Sequence, residues 1–377
     1  MPVGECKVTG GKLVSCEVEI GEGRIAKLRI HGDFFVHPEE RTGEILRAIE
    51  STLIGLPSEM DERAIASHVA AAVPYGVELL GTSPEAIAIA IRRAITGNAD
   101  LGVPPDLDRV GALSAEAIDR LTDSWRSLPW RLIPESPMPP ALNVALDEVL
   151  LDAVADGAAP PTLRFWRWSA PAVIVGRCQS IANEVDASAA AMGGISIVRR
   201  MTGGGAMFLQ PHGAITYSLY LPESAVAGLG IRQSYEVCEA WVIRALRELG
   251  VDAHHVPIND IACSEGKIGG AAQARRRGVV LHHTTMAYDM DPGEMVRVLR
   301  IGREKLRDKA VTSAQKRVSP LVRQTGRSRD EIVGHLFDAF RKRFGGTISE
   351  LSRVELTAAN DLVNAKYGHA TWTHDVS

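Results

Sequence analysis

The sequence predicts an α+β protein in two unequal parts: a small N-terminal α+β domain and a larger domain of mixed sheets with flanking helices. Three observations carry this. Strand signals and then helix signals are segregated over the first hundred residues. A glycine- and proline-rich stretch, GNADLGVPPDLDRVGA at 97–112, then breaks the pattern as a linker does. From Trp130 onward, strand and helix candidates interleave. The expected division is a small domain over 1–97, a linker and connecting helix over 98–125, the large domain over 126–350 and a C-terminal tail over 351–377.

The elements follow in order. Cys16, Val18 and Ile20 alternate with Ser15, Glu17 and Glu19, and Ile25, Leu28 and Ile30 form a second run across the turn Gly21-Glu22-Gly23. Alternation bounded by glycines is the hairpin pattern. Three helices are expected next. One spans about 39–53 with Ile45, Leu46, Ile49 and Leu53 on one face. Another starts near Asp61, and the third at Ser83-Pro84, where serine caps and proline suits the first turn. A short helix is expected near 114–125. In the large domain, Arg131-Leu-Ile reads as a strand and Pro139-Pro140 opens a helix striped by Leu142, Ala145, Leu146, Val149 and Leu150. Strands are expected at 162–168, 172–176, 195–200, 206–209, 214–221 and 278–287, and a helix at about 232–249.

Composition excludes several classes. Lys and Arg total 42 against 46 Asp and Glu, a net charge of −4, without the concentrated basic face that duplex binding by counterion release requires. No apolar run approaches the roughly 18 residues of a membrane span. The opening MPVGEC lacks the basic-then-apolar pattern of a signal sequence. The five cysteines, at 6, 16, 178, 238 and 263, are odd in number and show no CxxC spacing, which fits reduced thiols. A cytoplasmic protein with no nucleic-acid and no membrane partner is expected.

Three segments carry candidate chemistry. In IVRRMTGGGAMF, 197–208, an apolar strand delivers Arg199 and Arg200 to a triple glycine. Glycine lets a ligand approach the backbone, and arginine offers a planar fork to carboxylate or phosphate. The plain alternative is a glycine-rich hairpin with two solvated arginines. In INDIACSEGKIGGAAQ, 258–273, Asn259 and Asp260 lead into a turn and Lys267 begins the return strand. Lysine can follow an oxyanion as its charge shifts, and Asp260 suits Mg²⁺, which takes few carboxylates beside phosphate oxygens. The alternative is a surface hairpin with an exposed lysine. In GVVLHHTTM, 278–286, adjacent histidines face opposite sides of a strand and do not easily share a metal; a buried strand with a satisfied core histidine is the favoured reading.

Together these segments resemble the lipoate–protein ligase A family. Arg-Arg-x-Thr-Gly-Gly-Gly-Ala, Asn-Asp-Ile, Lys-Ile-x-Gly-x-Ala and His-His-x-Thr keep the family's order. They are supported by LNVALDE at 142–148, VIVGRCQ at 173–179 and VTSAQKRV at 311–318. Gly11-Lys-Leu-Val, Gly23-Arg-Ile and Ile30-His-Gly-Asp-Phe-Phe35 resemble the family's small accessory domain, here placed first. The resemblance implies the biotin/lipoate-ligase-like fold. It also implies ATP-dependent activation of lipoate to lipoyl-AMP and transfer to a lysine of an acceptor: a lipoyl domain of a 2-oxoacid dehydrogenase E2, a glycine-cleavage H-type protein or a lipoate-binding protein. By motif match, Lys267 is the catalytic residue, bridging the lipoyl carboxyl and the α-phosphate. Arg199, Arg200, Gly203, Gly204, Gly205, Ala206, Met207, Phe208, Asn259, Asp260 and Gly270 hold ATP and lipoyl-AMP, with Mg²⁺ at Asp260. His212, Tyr217, His283 and Thr285, with Ile197 and Ala206, form the lipoyl pocket.

Two positions depart from the pattern: Thr284 replaces a usual glycine and Ser180 a common asparagine. The main rival is octanoyl transfer through a cysteine thioester without ATP, for which Cys263 and, less well placed, Cys178 are the candidates. A non-catalytic protein binding an acyl-adenylate or an acceptor is a further alternative, and the Gly-Arg-Gly-Arg motif of biotin ligation is absent. Arg275-Arg276-Arg277 is either a solvated turn or a basic contact for an acidic acceptor.

Overall fold

The computed structural model describes residues 1–107, 113–290, 292–300 and 318–376. The N-terminal hairpin forms as expected. Strands β2 (Leu13–Gly21) and β3 (Arg24–Gly32) pair antiparallel, and β1 (Val3–Lys7) adds to the outer edge of β2. β1 was not expected; VGECK gives only a short alternation, and its Gly4 is where the helix carrying Ala90 crosses, since a side chain there would strike the Ala90 carbonyl. Helices α1 (Thr42–Leu53) and α3 (Pro84–Thr96) pack on the sheet, and α2 (Glu62–Ala72) packs on both of them. Ser83 and Asp61 cap α3 and α2 through their side-chain oxygens, and Gly97 ends α3 in the left-handed region. A two-stranded ribbon, β4 (Phe35–His37) with β5 (Glu78–Leu80), completes this part.

Residues 98–107 return to the N-terminal sheet, where Leu107 donates its backbone N–H to the Thr9 carbonyl. Of the stretch expected as a linker, 108–112 lies outside the described residues. The connecting helix α4 (Ala115–Asp123) belongs with the large part, whose core takes Trp125 and Trp130.

The large part is built on one long sheet. Strands β13 (His254–Val256), β14 (Asp260–Cys263), β15 (Gly266–Arg276), β16 (Val279–Ala287), β12 (Ala214–Pro222) and β8 (Thr162–Trp168) run antiparallel in that spatial order. β6 (Arg131–Ile133) then joins β8 in parallel. Helices α5 (Pro140–Ala155) and α8 (Ile231–Glu248) pack on it. A smaller sheet, β10 (Ser196–Arg199), β9 (Ala172–Val175) and β11 (Met207–Leu209), sets the glycine segment 203–205 between two of its strands. The mixed α+β class is as the sequence predicts.

The described part of the expected tail, 351–376, is packed on the large part. Helix Arg353–Leu362 lies on α5, Glu355 forms an ion pair with Arg131, and Lys366 and Tyr367 both engage Glu148. No helix among the described residues is long and apolar enough to cross a membrane.

Candidate active site

The hairpin of β14 and β15 brings Asp260 opposite Gly270, with Lys267 three residues earlier on the same strand as that glycine. Lys267 Nζ donates to Asp260 Oδ1 at 2.8 Å. A Cβ on Gly270 would lie 3.1 Å from that nitrogen, so the glycine leaves room for the pair. The Lys267 side chain keeps 46% of its exposure. Burial would raise the Asp260 carboxyl, but Lys267 and then Lys12 outweigh it and hold the group below its ordinary range.

This pair stands on the wall of a cavity of about 660 Å³. The wall combines Lys267, Asp260, Asn259, Gly270, Cys263 and His283 with Arg200, Gly204, Gly205, Ala206 and Met207. Lys7, Lys12 and Asp33 come from the N-terminal part. Five cationic side chains face three carboxylates, so the space favours an anion. Next to it lies an apolar slot of about 220 Å³, lined by Ala206, Met207, Phe208, Met286, Met290, Met295 and Leu299. Lys267, Gly270 and Thr285 border both spaces. The cavities place a cationic head site beside an apolar tail site.

The two arginines part company. Arg200 lines the cavity, but its guanidinium braces the glycine segment, donating to Gly203 O at 2.7 Å, Gly205 O at 3.0 Å and Thr202 Oγ1 at 3.0 Å. Arg199 does not line the cavity. It is fully buried and donates to the carbonyls of Gly176 at 2.7 Å and Thr373 at 2.9 Å, which ties down the C-terminal segment. Burial lowers both to about 10. A strand arginine followed by glycines does not announce which face it takes, so the sequence could not separate them.

The triple glycine has a packing cause as well as a ligand one. A Cβ on Gly203 would meet Phe35 Cδ1 at 2.6 Å and the Phe34 carbonyl at 2.8 Å. Gly204 sits at φ +94°, with its carbonyl against Gly176. The N-terminal part therefore presses on the loop directly. Gln179 adds a hydrogen bond to Asp33 Oδ1 at 2.9 Å, and Gly32 donates to the Cys178 carbonyl at 3.0 Å.

Below the cavity, Asp147 is almost wholly buried and accepts from Ser218 Oγ at 2.8 Å and Tyr220 OH at 2.5 Å. Its other oxygen lies 2.7 Å from His283 Nδ1, and His283 Nε2 lies 2.9 Å from Thr202 Oγ1. Both ring nitrogens of His283 are thus engaged, and the chain Asp147–His283–Thr202–Arg200 locks the glycine segment. His282 is buried between Gln273 and Thr284, and burial holds it well below the usual imidazole range. Both histidines are satisfied residues of a strand.

Several expected site residues lie elsewhere. His212 is exposed and lines neither space. Tyr217 is fully buried in the core against Trp241 and Phe165, because on β12 it faces the helix layer. Ile197 also stays outside, whereas Ala206 and Thr285 border both spaces. Phe208 lines only the apolar slot. Of the segment 311–318, residues 311–317 lie outside the described residues. The Arg275-Arg276-Arg277 run is not a free basic patch: Arg276 pairs with Glu148 and Asp152, the Arg275 backbone with Glu39, and Arg277, exposed at the turn, with Asp152 and Asp156. The sequence did not point to Lys7, Lys12, Asp33 or the slot residues Met286, Met290 and Met295. Lys12 lies in the Gly11-Lys-Leu-Val match, the only signal that could have pointed to it.

Among the described residues no group of three His, Cys, Asp or Glu side chains could hold a metal. Asp260 is engaged by Lys267 here, and a Mg²⁺ at this single carboxylate would draw its other ligands from phosphate oxygens and water. All five cysteines are free and buried. Burial pushes the Cys178 thiol up to about 12, and Cys263 is the one cysteine among the described residues that lines the cavity.

A cationic head site joined to an apolar tail site suits an enzyme class that handles an acyl chain with a charged head. Residues 139–341 match the model of the lipoyl protein ligase A/B catalytic domain, and the chain belongs to that family. It is similar to octanoyltransferase LipM of Symbiobacterium thermophilum, 31% identical over 64% of this chain and 97% of the relative. LipM of Kyrpidia tusciae is 30% identical over 65% and 98%. Among solved structures it resembles a bipartite lipoate protein ligase from Thermoplasma acidophilum, studied with its E2 lipoyl domain, at TM-score 0.58 and 29% identity, covering 66% of this chain and 98% of that one. It also resembles a lipoate–protein ligase A bound with ATP, at TM-score 0.57 and 27% identity over 66% of this chain and all of the other.

Proposed function

We propose that this enzyme is an ATP-dependent lipoate–protein ligase. The observation that carries the reading is the net cationic cavity around Lys267, with room for a nucleotide head and an apolar slot beside it. The lipoate carboxylate attacks the α-phosphorus of ATP, the bond to the β-phosphate oxygen breaks, and pyrophosphate leaves. The amine of an acceptor lysine then attacks the acyl carbon, an amide forms, AMP leaves, and the amine gives up its proton. Lys267 neutralises the charge that moves from carboxylate to phosphoryl oxygen. Arg200 acts through the backbone, holding Gly203, Gly204 and Gly205 in place against the adenylate. Ala206, Met207 and Phe208 lead into the slot for the acyl chain, Asn259 and Asp260 border the phosphates, and Mg²⁺ enters with ATP as part of the substrate. The acceptor is a lysine-bearing lipoyl domain or carrier protein, of the kind studied with the T. acidophilum ligase.

The names of the sequence relatives favour a second reading, octanoyl transfer without ATP. Cys263 on the cavity wall is its candidate nucleophile. In that reaction the thiolate displaces a carrier thiol, and the acceptor amine then displaces Cys263. One experiment separates the two. The enzyme is incubated with a lipoyl acceptor domain and either lipoate with Mg²⁺-ATP or octanoyl carrier protein, and the acceptor mass is read. Acylation only with ATP and free acid supports the ligase. Acylation from the carrier, lost in Cys263→Ser, overturns it in favour of the transferase.

A further inference from the structure

Lys12 stands at the turn before β2, in the N-terminal part, yet its side chain lines the cavity of the large part. Its placement is built. The Lys12 N–H donates to the Gly81 carbonyl at 2.6 Å, and a Cβ on Gly81 would strike Lys12 Cγ at 2.6 Å, so that glycine makes room for the lysine stem. The amine then crosses the domain boundary to Asn259 Oδ1 at 2.5 Å. Asn259 is itself held, its side-chain amide donating to the Ala271 carbonyl and its backbone carbonyl accepting from the Ala271 N–H.

A lysine used only to dock two domains would meet a carboxylate. Lys12 meets a neutral amide, and the nearby carboxylate, Asp260, is engaged by Lys267. An ammonium has three donors, and a neutral acceptor offsets its charge less than a directly bonded carboxylate would, while Asp260 and Asp33 act on it through space. Burial lowers the amine to about 8, with Lys267 and Lys7 acting in the same direction and Asp260 and Asp33 against it. An arriving polyanion would relieve this.

We infer that Lys12 is a phosphate-binding residue of the active site, so that the N-terminal domain supplies in cis one of the cations gripping the β- and γ-phosphates, later pyrophosphate. This rests on the ATP-dependent reading above. Inorganic pyrophosphate, titrated calorimetrically into the full chain, tests it. The variants are Lys12→Met; Lys12→Gln, which keeps a hydrogen-bonding head without charge; and Lys27→Met, which removes an exposed lysine of the same domain paired with Glu19. Loss of one charge-assisted contact predicts about tenfold weaker binding in both Lys12 variants. It also predicts a shallower loss of affinity with added salt than in the wild type, with Lys27→Met unchanged. Wild-type affinity and salt dependence in a folded Lys12→Gln would overturn the inference and leave the ligase reading standing. If the wild type binds neither pyrophosphate nor ATP, the ligase reading fails and the inference fails with it.

Discussion

The arginine pair at 199–200 and the lysine pair at 12 and 267 make an instructive contrast. The arginines are adjacent in sequence, sit in the most conspicuous motif, and are almost fully buried, with guanidinium donors engaged by protein carbonyls. The lysines are 255 positions apart in different domains, and both amines reach one cavity wall. Cations whose donors are all engaged hold the fold in shape, while those with donors to spare on a cavity wall are the ones a ligand can use.

That contrast can be broken at either end. Removing Lys267 should have the largest effect on activity. Lys267→Ala is expected to slow adenylate formation about 10²–10³-fold, the usual cost of losing one preorganised donor to developing charge. Its stability should move by about 1 kcal/mol or less, because the lost pair is half exposed. Single-turnover kinetics and urea unfolding on the same preparation check both halves. Arg199→Met should do the reverse. It leaves the Gly176 and Thr373 carbonyls without their donor and should cost about 3 kcal/mol in urea unfolding. Its chemical step should be close to that of the wild type at temperatures where the protein is folded.

Gly203→Ala sharpens the comparison by attacking the domain contact. The added methyl meets Phe35 and the Phe34 carbonyl, and overpacking of this kind costs about 1–3 kcal/mol. The loss should appear as a lower melting temperature and faster proteolysis between the domains. Unchanged stability would show that the contact yields freely.

A last effect is a pH dependence. Lys12 falls from its ordinary 10.5 to about 8 in the folded chain. Between those values the unfolded chain holds a proton that the folded chain has released. The group's contribution therefore improves with rising pH across that window and is least favourable below about 8. Stability of the wild type minus that of Lys12→Met, measured from pH 7 to 10, should rise with pH. A flat difference would show that the amine is not desolvated.

Much of the fold was legible, and for physical reasons. Cys16 and Val18 in β2 are buried between the half-buried Glu17 and Glu19, Ile25, Leu28 and Ile30 of β3 are buried opposite, and α3 carries its serine cap, its first-turn proline and its closing glycine. The candidate site was legible only in part. Lys267, Asp260 and Gly270 lie within one hairpin, so local spacing brings them together. Lys12 and Asp33 reach the cavity only through domain docking, which no local pattern records. Tyr217 was drawn toward the pocket because a β-strand tyrosine reads alike on either face; the packing of α8 decides that it faces the core. The methionines of the slot are scattered from 207 to 295 and converge only in three dimensions. The C-terminal helix was read as a tail because its anchors, Arg131 and Glu148, lie over 200 residues away.

The central claim is that the Lys267 cavity activates a carboxylic acid with ATP. The most direct measurement omits the acceptor. Wild type and Lys267→Ala are mixed with lipoate and Mg²⁺-ATP, and pyrophosphate release and enzyme-bound acyl-adenylate are followed through one turnover. Stoichiometric pyrophosphate and a trapped acyl-adenylate in the wild type, both lost in the variant, are the predicted result. Full pyrophosphate release by Lys267→Ala, or none by a wild type that takes octanoyl groups from a carrier thioester, would contradict it.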